Sequence, residues 1–154
     1  MRCLPSVLAA VVLFGSLASA HPAGEDDQLK AIMDAHLNAI NTAQSAEIAR
    51  HHLPGHSEFG TTGAKLGVSG NFDVQFARNE AIFGGGFTFD WHNEDLRIQV
   101  FGNTAIVAGY VVGTTTAPDG TVTHIRNRRT TVLIKTDGAW KEIHVHNSPL
   151  LTSD

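Results

Sequence analysis

The sequence predicts an α+β domain, with helices first and an antiparallel sheet after them. Apolar residues recur at helical spacing in the first third of the chain. Four later runs are rich in β-branched and aromatic residues. Those runs are separated by Gly102–Asn103, Asp119–Gly120 and Asp137–Gly138, which are strong short-hairpin signals. Helices followed by a meander place the helices on one face of the sheet. There is no internal repeat and no linker, so residues 28–154 read as a single domain.

The first twenty residues, "MRCLPSVLAAVVLFGSLASA", have an arginine near the start, an apolar run from Val7 to Leu17 and small residues at Ala18–Ala20. That layout predicts a secretory signal peptide cut after Ala20, and hence a secreted or periplasmic product. The apolar run is shorter than the roughly 20 residues a membrane span requires, and no later run approaches that length. Cys3 is the only cysteine and leaves with the leader, so no disulfide and no thiol chemistry is expected.

Residues 21–27 read as a polar tail. From Gln28 the residues Leu29, Ile32, Met33, His36, Leu37 and Ile40 trace an amphipathic helix with acids at its start. "NTAQS" at Asn41–Ser45 breaks it, and Ala46–His52 forms a short second helix. "LPGHSEFGTTGAKLGVSG" reads as short strand and loop, and a further helix is expected over Asn71–Phe83. The strands follow as "FTFDWHNEDLRIQV", "TAIVAGYVVGTTTA", "TVTHIRNRRTTVLIKT" and "AWKEIHVHN".

Two-residue turns at the three hairpin signals define a register. They pair Asp95 with Tyr110 and Arg97 with Ala108. Arg129 then lies between Tyr110 and His146, Thr131 between Ala108 and His144, and Leu133 opposite Glu142. One face then carries the rows Asp95–Tyr110–Arg129–His146 and Arg97–Ala108–Thr131–His144. The other is almost wholly apolar, from Ile98 and Val100 through Val107 and Val132 to Val145. A single bulge would shift these pairs. An apolar face over four strands predicts a homodimer or larger assembly.

The formal charge of −4, with no basic run, gives no support to nucleic-acid binding. Nine histidines raise the question of a metal. "HHLPGH" offers His51, His52 and His56, and cleavage after Ala20 would expose His21. The spacing determines no complete ligand set, so neither metal nor cofactor is assigned. His36 reads as a core histidine.

"NAIN", "LPGHSEFGTTGAKLG", "VFGNTAIVAGYVV" and above all "DGAWKEIHVHNSPL" resemble the association domain of calcium/calmodulin-dependent protein kinase II. They also resemble its SnoaL-like, nuclear transport factor 2-like relatives. The resemblance implies a cystatin-like cone, a curved antiparallel sheet wrapped around the first helix, with His144 and His146 facing a pocket. It implies oligomerisation for association domains, and isomerase, cyclase or dehydratase chemistry for other relatives. Three readings follow. The first is a ligand-binding or self-associating domain, taking a small organic ligand through Tyr110, Arg129, Thr131, His144 and His146. The second is an acid–base enzyme on a small apolar, polyketide- or steroid-like substrate, with His144 or His146 moving the proton. The third is a metal protein. The enzyme reading lacks an evident buried carboxylate.

Overall fold

In the computed structural model the described residues are 24–60 and 65–150. The predicted leader and cleavage site lie outside them. Helix α1 (Glu25–Asn41) starts three residues earlier than expected, with Glu25, Asp26 and Asp27 in its first turn, where the helix dipole favours negative charge. Leu29, Met33, His36 and Leu37 form its buried stripe. Thr42 to Gln44 turn the chain, with Ala43 at φ 55°, into α2 (Ser45–His51). Next come β1 (His52–Phe59) and the two-residue β2 (Gly67–Val68). Helix α3 (Phe72–Gly84) is capped by the Asn71 side chain, which accepts from the Val74 N–H at 3.2 Å.

Strands β3 (Thr88–Phe101), β4 (Thr104–Thr116), β5 (Val122–Thr136) and β6 (Ala139–Pro149) complete a six-stranded curved sheet in the order β2-β1-β6-β5-β4-β3. The pairings are antiparallel except β1 with β6, which is parallel. The expected α+β fold, a curved sheet closing on the first helix, is what the chain adopts.

α1 lies across the inner face of the sheet. Leu29 and Met33 pack with Ala105, Val107, Leu133 and Trp140, all nearly or fully buried. Each large side chain buried there stabilises the fold by about 1.5–3 kcal/mol. The far end of α1 is fastened to β3 by Asn41, whose side chain donates to the Trp91 carbonyl at 2.8 Å and accepts from the Trp91 N–H at 2.9 Å. Of the predicted apolar face, Ile98, Val100 and Val107 are therefore covered by the chain's own helix. The premise that these residues need a second subunit does not hold.

The register departs from the expected one at three places. The β4–β5 connection is not a two-residue turn: Thr116 pairs with Val122, which leaves residues 117–121 as the loop. That odd length sets Arg129 opposite Gly109, and Tyr110 opposite Arg128. In β6 a bulge lies at Ile143. Glu142 pairs with Leu133 as expected, but His144 pairs with Val132, and His146 with Thr130. In β3 a bulge between Glu94 and Arg97 leaves Glu94, not Asp95, opposite Tyr110.

Candidate functional site

These irregularities divide the predicted polar group. Arg129 and Thr131 lie on the inner face, buried, beside Val107 and Val145. Tyr110, His144 and His146 lie together on the outer face. There Arg126 stacks over the Tyr110 ring at 5.6 Å, and His144 Nδ1 is 2.8 Å from the Ser57 hydroxyl. His146 is exposed against Phe59, with ring centroids 5.3 Å apart. The predicted Arg129–His146 and Arg129–Tyr110 neighbours are thus on opposite faces, because each one-residue irregularity reverses the facing of every side chain beyond it.

What the inner face assembles is a carboxylate among histidines. Glu142, on β6, is 0% exposed. Its Oε2 accepts from Arg129 Nη2 at 2.9 Å, and Arg129 Nε donates to the Thr131 hydroxyl at 3.0 Å. His51 Nε2 from the end of α2 is 3.8 Å from Oε2. His52 Nε2 and His56 Nε2 from β1 are 3.2 and 3.6 Å from Oε1. His36 from α1 stacks on His51 at 4.2 Å between ring centroids, and His52 stacks on His56 at the same separation. The parallel β1–β6 pairing brings this about by setting His52 beside Glu142.

Burial alone would raise the Glu142 pKa. The Arg129 charge, with the facing His51 and His52 rings, holds it well below the usual carboxylate range, so it is ionised. Burial pushes His36 well down and His51 down, and brings His56 to about 4, with repulsion from its neighbouring imidazoles acting in the same sense. All three are neutral at pH 7.

A cavity of about 180 Å³ opens beside this cluster. Ile40, Ile48, Ile82, Phe83, Phe89 and Val145 form apolar wall, while His36, His52, His56, Arg129 and Glu142 form a polar end. Glu58 and Arg78, ion-paired at 2.5 Å, also line it. Of the residues expected to bind a ligand, only Arg129 lines this cavity. Thr131 holds Arg129 from beside it. Sequence reasoning singled out His51, His52 and His56 but had no partner for them, and it passed over Glu142.

Fold and site together define a cone-shaped pocket domain. Residues 29–152 match the SnoaL-like domain family, and the chain belongs to that family. No match was found among curated proteins. An NTF2-like protein from Cytophaga hutchinsonii shares the fold at a TM-score of 0.69 and 14% identity, over 82% of this chain and 98% of that one. A ketosteroid isomerase-like protein from Erwinia carotovora atroseptica aligns at 0.63 and 20% identity, over 81% and 94%. The association domain of C. elegans CaMKII aligns at 0.65 and 14% identity, over 81% and 95%. At these identities the likeness is one of fold.

Proposed function

We propose that the protein is an exported domain that binds a small organic molecule in the cone of its sheet. The molecule's apolar side lies against the isoleucine and phenylalanine wall, and its polar group points to the Glu142–Arg129–histidine end. The observation that carries this is the contact between an apolar-walled cavity and a fully buried, ion-paired carboxylate. A cavity of about 180 Å³ suits a one-ring molecule. Cavities of about 150 Å³ accept benzene, whereas drug-sized ligands occupy roughly 300 Å³ or more. Size thus favours a one-ring ligand over a polyketide- or steroid-like one. The test is ligand-observed NMR with a panel of monocyclic aromatic compounds. Binding is expected to be lost in Ile82→Trp, which fills the cavity from α3. A wild-type protein that binds none of the panel at millimolar concentration overturns the proposal.

A second reading, proton transfer on that ligand, is favoured by His52 Nε2 lying 3.2 Å from the Glu142 carboxylate. An imidazole beside a buried carboxylate is a general-base arrangement, and it supplies the carboxylate that the strand sequence alone left unidentified. The ketosteroid isomerase-like relative gives the same direction at the level of fold only.

Export rests on the leader-like first twenty residues. N-terminal sequencing of secreted or periplasmic material is expected to begin at His21, and recovery in membranes with the leader intact contradicts it. Among the described residues no helix is long and apolar enough to cross a membrane. Self-association rests on the shared fold with an association domain and on the outer sheet face, where Ile106, Tyr110 and Val132 are half-buried in the single chain. Light scattering at micromolar concentration is expected to show a dimer or larger, and a strict monomer rules it out.

A further inference from the structure

The polar end of the cavity holds two buried polar atoms left without a hydrogen-bond partner. Glu142 Oε2 is taken by Arg129, but Oε1 has no hydrogen-bond partner although it is fully buried. His56 Nε2, 3.6 Å away, is also buried and without a partner. The tautomer explains why these two groups do not bond to each other. The Ser69 hydroxyl donates to the His56 carbonyl at 3.0 Å, so its oxygen accepts from His56 Nδ1–H. The His56 ring then carries its proton on Nδ1 and turns Nε2 to the carboxylate. Two buried electron-pair donors face each other, which costs free energy unless a proton donor or a cation lies between them.

We infer that His52, His56 and Glu142 form a binding site for a divalent first-row transition-metal ion. Their donor atoms lie within 4.8 Å of one another. Donors bound to one ion at about 2.0–2.1 Å in tetrahedral geometry are separated by about 3.4 Å. The observed 3.2 and 3.6 Å to Oε1 bracket that separation. Two imidazoles and one carboxylate suit zinc, iron(II) or copper(II) rather than magnesium or calcium, which take oxygen ligands. Two of the three ligands have the orienting bonds a metal ligand needs: Ser69 orients His56, and Arg129 orients Glu142 through the other oxygen, while His52 Nδ1 has no partner. The His52 and His56 rings stack with 12° between their planes, so loading turns one of them about its soft Cβ–Cγ torsion to aim both lone pairs at the ion. Three protein ligands leave at least one position for water or for a polar group of a molecule in the cavity.

This deepens the pocket reading by naming what the polar end holds, yet the ion is bound by the chain alone and is measured without an organic ligand. Untagged full-length protein is stripped with a chelator and titrated with zinc by calorimetry, and with cobalt(II) by visible absorption. One ion per chain is expected, with d–d bands of a low-coordinate cobalt site. His56→Gln and His52→Gln each weaken zinc binding by at least about tenfold. The double variant His144→Ala/His146→Ala, on the outer face, leaves it unchanged. Circular dichroism confirms that each variant is folded, and Glu142→Gln tests the carboxylate with Arg129 still in place. No zinc binding by the stripped wild type overturns the site, and so does binding that survives both His52→Gln and His56→Gln. Zinc binding without aromatic-ligand binding rejects the pocket proposal and keeps this one; the reverse result does the opposite.

Discussion

Replacing Arg129 by methionine removes the fixed cation from Glu142 while keeping most of the side-chain volume. The carboxylate stays fully buried, loses its 2.9 Å charged hydrogen bond, and faces histidines that are largely neutral at pH 8. Breaking a buried pair in this way costs about 3–5 kcal/mol, because the remaining charge is left without compensation. The nearby imidazoles can take up a proton and recover part of that, so about 3 kcal/mol is expected. A domain of roughly 130 residues unfolds with an entropy of about 0.27 kcal/mol/K, so the melting temperature falls by about 11 °C. Urea denaturation at pH 8 in the presence of a chelator measures the loss without support from a bound cation. Adding Glu142→Leu removes the orphaned charge, so the double variant is expected to be more stable than Arg129→Met alone. A loss below about 1 kcal/mol, or strictly additive single changes, refutes the buried pair.

Acid is expected to weaken the fold well above the carboxylate range. His56 sits at about 4 when folded and near 6.5 when unfolded, so the unfolded chain binds more protons between those values and stability falls as the pH drops through that window. His36 and His51, also lowered, act with the same sign; Glu142 adds stability that is present above 4.5 and lost only as the pH falls through its lower folded value. Equal urea midpoints at pH 7.5 and 5.0 contradict this. Gly113→Ala is expected to cost about 3 kcal/mol or more, because φ is +139° and a Cβ would lie 1.9 Å from the Asp90 carbonyl oxygen. Gly138→Ala, in open space at φ +78°, is expected to cost only about 1–2 kcal/mol, and equal losses in the two variants reject the close β3–β4 approach. Arg129→Gln is expected to shift the ring NMR signals of His51 and His52 and to leave those of His146 in place; movement of His146 alone would restore the regular register.

The fold class, the element order and the inward residues of β3 and β4 followed from periodicity and turn chemistry, because those signals are local. What was not legible was parity. Alternation states only that neighbouring residues face opposite ways; which way depends on every residue count between two strands. Around β5 the count failed twice. Its loop with β4 has five residues, and β6 carries one extra residue at Ile143. The two errors cancel between β4 and β6, so Tyr110, His144 and His146 do share a face as predicted. Arg129 and Thr131, on the strand between them, are the residues that changed sides. The loop error had a readable cause. Pro118 cannot donate to a ladder, and "APDG" is a turn of its own, closed by Gly120 N–H to Ala117 O at 2.9 Å and Asp119 Oδ1 accepting from Thr121 N–H at 2.9 Å. The bulge at Ile143 had no such mark.

Glu142 is the more instructive miss, since its pairing with Leu133 was correctly derived. A carboxylate set directly across from an inward leucine, and next to a tryptophan, is a buried charge in waiting, and buried charges require partners. The chain contained candidates in His51, His52 and His56, but the fold has to run β1 parallel to β6 before they meet it. A parallel contact between strands some ninety residues apart leaves no turn signal to read. The demand for a partner was therefore visible in one strand and the supply in another. Joining them required only the question of what lies opposite a charge that cannot be wet. Asked of Glu142, that question leads to Arg129 on one oxygen, and on the other to two imidazoles that leave room for an ion.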